Sequence, residues 1–483
     1  MDVSLLNPEN LPPVQLLIIP TVMIPLTAVT VALSMLASFI AGLFGIRLKT
    51  EGPKRLLEVL LKPRVLLGAL ALNVLILGGI QGYTYFKNYP RFLWTVKKTQ
   101  AAEAKPSDRD YGRHHSVAGE FNPAQRPIQA NQLEQVRLLW SHTLPKGAFR
   151  SPLIAGGSVF VGSLDGRVYE LDAQTGQRLR SFFVGTPVTP ELTIDDGFLY
   201  VGEGVHDTHS ARIYSFNLKT GLFAGAYQTK GHTEGQPVIG EHQGTKLLFA
   251  VAGADGVHAV DPKTMKAKWT ANDGHIDASV RVFGGRVFAG TGREKGDSEK
   301  NRSYAVAYDF LTGAKIWKME LPASSWMNPV IWREQVCFVY GEVYFESGLG
   351  GVQCFRQDNG TPSKSFNLAS PQTTLPLVIG DSLITTDSKG VVCSLDLISH
   401  QTQWCHKVAF KKGMNFASPV YSPERDVLIY ASMSDGLHFV NRRTGRLLKR
   451  IELKDTATIY APVEVSGTTF VASDVKGTVL FYQ

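Results

Sequence analysis

Apolar residues follow two different rules along this chain. From Val14 to Ile46, and again from Val65 to Phe86, no charged residue interrupts the run. A helix of about 20 apolar residues crosses a bilayer core, so the second run predicts a spanning helix over about 65–86. The first run is longer and carries Pro20 and Pro25. It predicts a spanning helix over about 24–46, with a kinked or entering segment before it. Beyond residue 133 the apolar runs become short. Pro152–Ala155, Ser158–Gly162, Arg167–Leu171 and Arg178–Val184 are separated by Gly-Gly, Asp-Gly and Thr-Gly. Such turns reverse an antiparallel ribbon, because glycine tolerates positive φ. Runs such as Val159-Phe160-Val161 are apolar on both faces, as expected of a sheet packed between two other sheets.

This four-strand unit repeats. Thr175-Gly176, Thr220-Gly221, Thr264-Met265, Thr312-Gly313, Asn359-Gly360, Ser399-His400 and Thr444-Gly445 recur every 40–48 residues. A proline heading the first strand keeps the same pace (Pro152, Pro190, Pro237, Pro329, Pro376, Pro419 and Pro462), with Val280 in the one slot that lacks it. Repetition at this period with four short strands predicts β-propeller blades. The segment Val136–Leu144 reads as a fourth strand without its three partners, and the chain ends after three strands that lack a fourth. Joined, they make one blade. The fold class is therefore an all-β, eight-bladed propeller over residues 133–483, its ring closed by the two ends, preceded by a two-helix membrane anchor over residues 1–98.

Charge changes the picture little. The net charge of +8 over 483 residues is concentrated in residues 1–98, with ten Lys/Arg against four Asp/Glu; the remainder carries 40 against 38. Basic residues beside apolar runs read as membrane topology and not as a nucleic-acid face. Six of them lie in 47–64, which places that loop in the cytoplasm and both chain ends outside. No cysteine precedes Cys337, so no lipid anchor at an N-terminal cysteine is expected. Residues 99–132 lack apolar periodicity and read as a flexible linker. His114-His115 within it, and His206-x-x-His209 in a later loop, each lack a third ligand and carry no metal assignment. The four cysteines exclude C-x-x-C metal sites. Cys354 and Cys393, in equivalent third-strand slots of adjacent blades, read as small buried hydrophobes, and an oxidising location would also permit Cys337–Cys354 and Cys393–Cys405 pairs.

The stretches AVDPKTMKAKW (259–269), AYDFLTGAKIW (307–317) and SLDLISHQTQW (394–404) fit A-x-D-x-x-T-G-x-x-x-W, the second wholly and the others in part. This resembles the tryptophan-docking repeat of pyrroloquinoline-quinone-like propellers. That family spans quinoprotein dehydrogenases and a non-enzymatic BamB-like branch. The resemblance implies that Trp140, Trp269, Trp317 and Trp404 pack between blades, and that Asp172, Asp261, Asp309 and Asp396 hold the following turn. Two departures stand out: Arg180 occupies a tryptophan position, and Asn217 and Asn441 replace the aspartate.

A quinoprotein dehydrogenase would need calcium and a catalytic aspartate, with adjacent cysteines in the alcohol-oxidising branch. No Cys-Cys pair exists. Arg150, Glu234, Asp277 and Asn328 fall just ahead of the first-strand positions, near the expected channel mouth. Glu234, Asp277 and Asn328 have the oxygen donors calcium takes. A propeller channel is polar in any case, so no catalytic, cofactor-binding or metal residue is assigned and no cofactor is expected. Phe149, Arg150, Trp326, Phe416 and Tyr460 are the candidates for contact with a protein partner. Loops 203–211, 291–303 and 342–350 enlarge the same face. The reading is a scaffold for protein binding or assembly, on the periplasmic side of a bacterial inner membrane. A quinone- and calcium-dependent dehydrogenase is the alternative.

Overall fold

The computed structural model describes residues 92–115, 120–122, 133–204, 210–293, 302–342, 348–408, 416–432, 436–453 and 458–483. The chain divides into two compact units, Met1–Thr95 and Val96–Gln483. Both expected spanning helices lie outside the described residues. Among the described residues, no helix is long and apolar enough to cross a membrane.

The second unit holds eight sheets, each built on four antiparallel strands. Blades 1 to 7 take residues 153–183, 193–228, 238–271, 281–321, 330–368, 377–407 and 419–451 in turn. Blade 8 combines residues 464–482 with Leu138–Thr143, which pairs with Thr478–Tyr482. The first and last strands of the propeller therefore share a sheet, which leaves no open edge in the ring.

Tryptophan joins the blades. Trp140, Trp269, Trp317 and Trp404 lie on the outer strands of blades 8, 3, 4 and 6. Each donates its Nε1–H to a carbonyl in the last turn of the next blade: Ala173, Phe310, Gln357 and Arg442 respectively, at 2.9–3.0 Å. Each indole also covers a glycine in that turn. A Cβ on Gly176, Gly313, Gly360 or Gly445 would stand 2.5–2.8 Å from the ring, and all four have φ near +70°. Glycine is needed here twice over, for the left-handed backbone and for the approach of the ring. The turn is preset from within: Oδ1 of Asp309 accepts from the backbone N–H of Leu311 and Thr312 and from the Thr312 hydroxyl. Asp172, Asp261 and Asp396 accept from their own turns in the same way. Those hydrogen bonds hold Asp261, Asp309 and Asp396 below the usual carboxylate range.

Where tryptophan is missing, another group fills the joint. Blade 2 has Gly225 in the tryptophan slot, and Met265 replaces the turn glycine of blade 3. The Met265 side chain occupies the space over Gly225, where a Cβ would meet Cγ at 3.0 Å. Blade 5 sets Phe366 against His400 of the blade 6 turn, with ring centroids 6.0 Å apart. Blade 7 uses Lys449, whose Nζ donates to the carbonyl of Leu133 beside the shared strand.

Blade 1 is filled from upstream: of the stretch read as a flexible linker, residues 99–115 and 120–122 are described and are docked on the propeller, while 116–119 and 123–132 lie outside the described residues. A helix over residues 92–103 is followed by an extended segment, and from Val96 onward both lie on the propeller. The Gln100 amide donates to the carbonyl of Gly221 and accepts from the N–H of Phe183. The backbone of Lys105 sits on Gly221, 2.7 Å from where its Cβ would be, as an indole would. Arg180 turns inward to buried Glu170, and also donates to the Lys105 carbonyl and the Tyr111 hydroxyl. Arg109 then pairs with Asp172, and Arg113 with Asp195. Next, His114–His115 add antiparallel to the innermost strand of blade 2. Glu120–Phe121 add parallel to the innermost strand of blade 6, and Glu120 pairs with Arg281 of blade 4. The segment reads as a linker because it docks by backbone groups and isolated side chains, which leave no apolar period.

Both cysteine pairs are disulfides. Cys337–Cys354 ties the second and third strands of blade 5, and Cys393–Cys405 the third and fourth strands of blade 6.

Two outcomes follow from this packing. Trp317→Ala empties the joint between blades 4 and 5 and should cost about 3–5 kcal/mol, read as a lower urea midpoint at unchanged slope. Glu464, on the innermost strand of blade 8, is 6 % exposed. Burial pushes its carboxyl well above the usual range, only partly offset by the Ile154 N–H. A carboxyl raised in the fold costs stability as pH rises from its unfolded value toward its folded one, and that cost persists above. Glu464→Gln should therefore raise the melting temperature at pH 7.5 by about 2 °C or more and leave it unchanged below about pH 4. Equal shifts at both pH values would refute the assignment.

Candidate functional site

Antiparallel succession gives the propeller two different faces. One carries the short turns after first and third strands. The other carries the loops between second and third strands together with the connections from blade to blade, and all five expected partner-contact residues fall there. They form two groups. Phe149, Tyr460 and Phe416 come from consecutive connections around blades 1, 8 and 7. Phe149 stacks on Tyr460 at 5.8 Å, and Tyr460 meets Phe416 at 6.4 Å. All three are half-buried. Arg150 donates to the Thr189 carbonyl and lies 3.8 Å from Glu191, so it bridges toward the next connection. Trp326 stands apart, edge-on to His275 at 6.1 Å, with its ring over Gly292.

Beneath this face lie buried ion pairs. Glu203 follows the second strand of blade 2 and accepts from Thr186, Arg212 and Tyr214 at 2.6–2.7 Å. Burial pushes its carboxyl up, while Arg212 and the two hydroxyls pull it down; the net direction is upward. Glu342 holds the matching place in blade 5 and pairs with Arg293. Both acids belong to stems of the expected long loops. The tips, residues 205–209, 294–301 and 343–347, lie outside the described residues, and His206 and His209 with them.

Two of the three residues with oxygen donors near the channel mouth, Asn328 and Asp277, are engaged within the protein. The Asn328 carbonyl oxygen accepts from the N–H of Ser279 at 2.8 Å. Asp277 faces His232 at 2.7 Å and His275 at 2.6 Å, both Nε2 atoms lying against the same Oδ1. Burial pushes the Asp277 carboxyl up, but the two imidazoles outweigh it and hold the group well below the usual carboxylate range. Among the described residues, His232, His275 and Asp277 are the one group of three His, Cys, Asp or Glu whose donor atoms converge, all within 4.8 Å. The Asn328 and Asp277 oxygens are thus engaged by Ser279, His232 and His275, and two imidazoles against the carboxylate do not fit the all-oxygen shell of a quinone-bound calcium ion.

Neither histidine is singled out by motif reading. Their signal is positional: Gly231-His232 and Gly274-His275 stand five residues ahead of Pro237 and Val280, the equivalent strand starts of blades 3 and 4.

Known proteins share this architecture. Over 369 residues the chain is 24% identical to the outer membrane protein assembly factor BamB of Burkholderia pseudomallei (strain K96243), covering 71% of this chain and 86% of that protein. It is 21% identical over 363 residues to the lupanine 17-hydroxylase [cytochrome c] of a Pseudomonas species, covering 70% of this chain but 46% of that enzyme. The crystal structure of BamB from Moraxella catarrhalis superposes with a TM-score of 0.55 at 15% identity, over 72% of this chain and 99% of that one. The sequence profile described as outer membrane protein assembly factor BamB matches residues 129–293 and 184–406. With its eight blades and their repeating turns, the chain belongs to the BamB family of pyrroloquinoline-quinone-like propellers.

Proposed function

We propose that this protein is a membrane-anchored, extracytoplasmic scaffold that binds protein partners through the face bearing the blade-to-blade connections, in the assembly of cell-envelope proteins. The observation that carries this reading is the aromatic group Phe149, Tyr460 and Phe416, half-buried on three consecutive connections with Arg150 beside it. Rigid rings set in a fixed frame offer contact area at little entropic cost, and aromatic and arginine side chains dominate binding energy at protein interfaces. Two hairpin disulfides support an oxidising compartment. The uncharged runs 14–46 and 65–86 support the anchor, and the basic loop 47–64 supports its orientation. The similarity to a protein named for outer membrane protein assembly supports the pathway.

The dehydrogenase reading draws on the similarity to lupanine 17-hydroxylase. Against it stand the diverted donors Asp277 and Asn328.

Photo-crosslinking from positions 416 and 460 in native membranes should capture envelope proteins. The Phe416→Ala/Tyr460→Ala variant should lose them at least about tenfold, with its melting temperature within a few degrees of the parent chain. Capture that persists undiminished in the double variant would refute this surface. Reduction of a dye by the purified chain with alcohols, after loading with quinone and calcium, would refute the scaffold reading itself.

A further inference from the structure

We infer that His232, His275 and Asp277 form a binding site for a divalent transition-metal ion of the zinc type, held between two successive blade connections. The inference is independent of the partner-binding reading.

The site is built by the backbone. His232 lies on the connection from blade 2 to blade 3, and His275 and Asp277 on that from blade 3 to blade 4. The second connection is clipped on both sides. Gly253 and Ile276 exchange two backbone hydrogen bonds at 3.1 Å, and the Gly292 N–H donates to the His275 carbonyl at 2.9 Å. Alternate residues of an extended segment point to opposite sides. Ile276 accordingly enters the apolar core between blades 3 and 4, while His275 and Asp277 face the other way, toward His232. The imidazole of His232 lies over Gly253, where a Cβ would stand 2.6 Å from the ring. The side chains of His232, His275 and Asp277 are only 5, 8 and 15 % exposed.

The donor types select the ion. Two imidazole nitrogens and one carboxylate oxygen suit zinc, cobalt or nickel, whereas calcium takes six to eight oxygens. Bonds of about 2.0–2.2 Å in a tetrahedral arrangement put ligand atoms roughly 3.4 Å apart. The Nε2–Oδ1 separations here, 2.7 and 2.6 Å, reach that spacing with a shift of under about 1 Å per side chain. Without metal, both Nε2–H groups donate to Asp277. With metal, the ring proton of each histidine moves to Nδ1 and Nε2 becomes a ligand. Three protein ligands leave a fourth position for water or for a donor from another molecule.

The test uses the full-length chain, stripped with a chelator and titrated with zinc chloride in competition with a chromogenic chelator. One zinc per chain is expected, and cobalt(II) loading should give the visible absorption of a four-coordinate site. Asp277→Asn and His275→Gln keep size and hydrogen bonding and should weaken binding at least about a hundredfold. A variant with His114, His115, His206 and His209 all changed to Ala should bind as tightly as the parent chain. Absence of stoichiometric zinc on the parent chain overturns the inference, as does undiminished binding in Asp277→Asn. Should the Asp277 and His275 variants fail to fold, the four-histidine variant decides: retained binding with the cobalt spectrum supports the site, and loss of either overturns it.

Discussion

Contact between an indole and a left-handed glycine one blade further on is the constraint from which the rest of this propeller follows. A blade alone exposes two apolar faces and cannot be stable by itself. The tryptophan buries a large ring on the next blade while its one N–H meets a carbonyl fixed by the turn. Area and hydrogen bonding thus act at the same point. The aspartate or asparagine that ties the turn holds it in place beneath the ring.

Joints without tryptophan obey the same constraint by other means. Met265 fills from the turn side what the outer strand of blade 2 leaves open at Gly225. Lys449 reaches the carbonyl of Leu133 where blade 8 has no closing turn. At blade 1 the partner comes from residues 100–111, and the Arg180–Glu170 pair is buried under them with Tyr111 completing its hydrogen bonds. An ion pair out of water needs its remaining groups satisfied. Here the upstream segment satisfies them.

What was legible in the amino-acid sequence was whatever repeats. The Thr-Gly turns, the strand-heading prolines and the unpartnered strand around Trp140 suffice to count eight blades and to close them. What was illegible depends on contacts across long chain separations. Arg180 is visible as a departure from the repeat, but its partners Lys105 and Tyr111 lie about seventy residues upstream in a stretch without apolar period. The site shows the same division. Asp277 stands out as a polar residue ahead of a strand start, whereas His232 belongs to the neighbouring connection, and only ring geometry sets it against Asp277. Phe149, Tyr460 and Phe416 are separated by hundreds of residues or by a whole blade, and become one surface only because the last blade is shared.

The upstream segment also decides how force would travel. A pull applied at the helix over residues 92–103 arrives first at Gln100, Lys105 and Arg109, all gripping blades 1 and 2. Gln100 lies in the helix and Lys105 and Arg109 in the extended segment after it, so several contacts share the load before any blade strand is reached. Further along, Glu120 and Phe121 reach blades 6 and 4, so the same stretch of chain spreads a load across the ring and not onto a single blade.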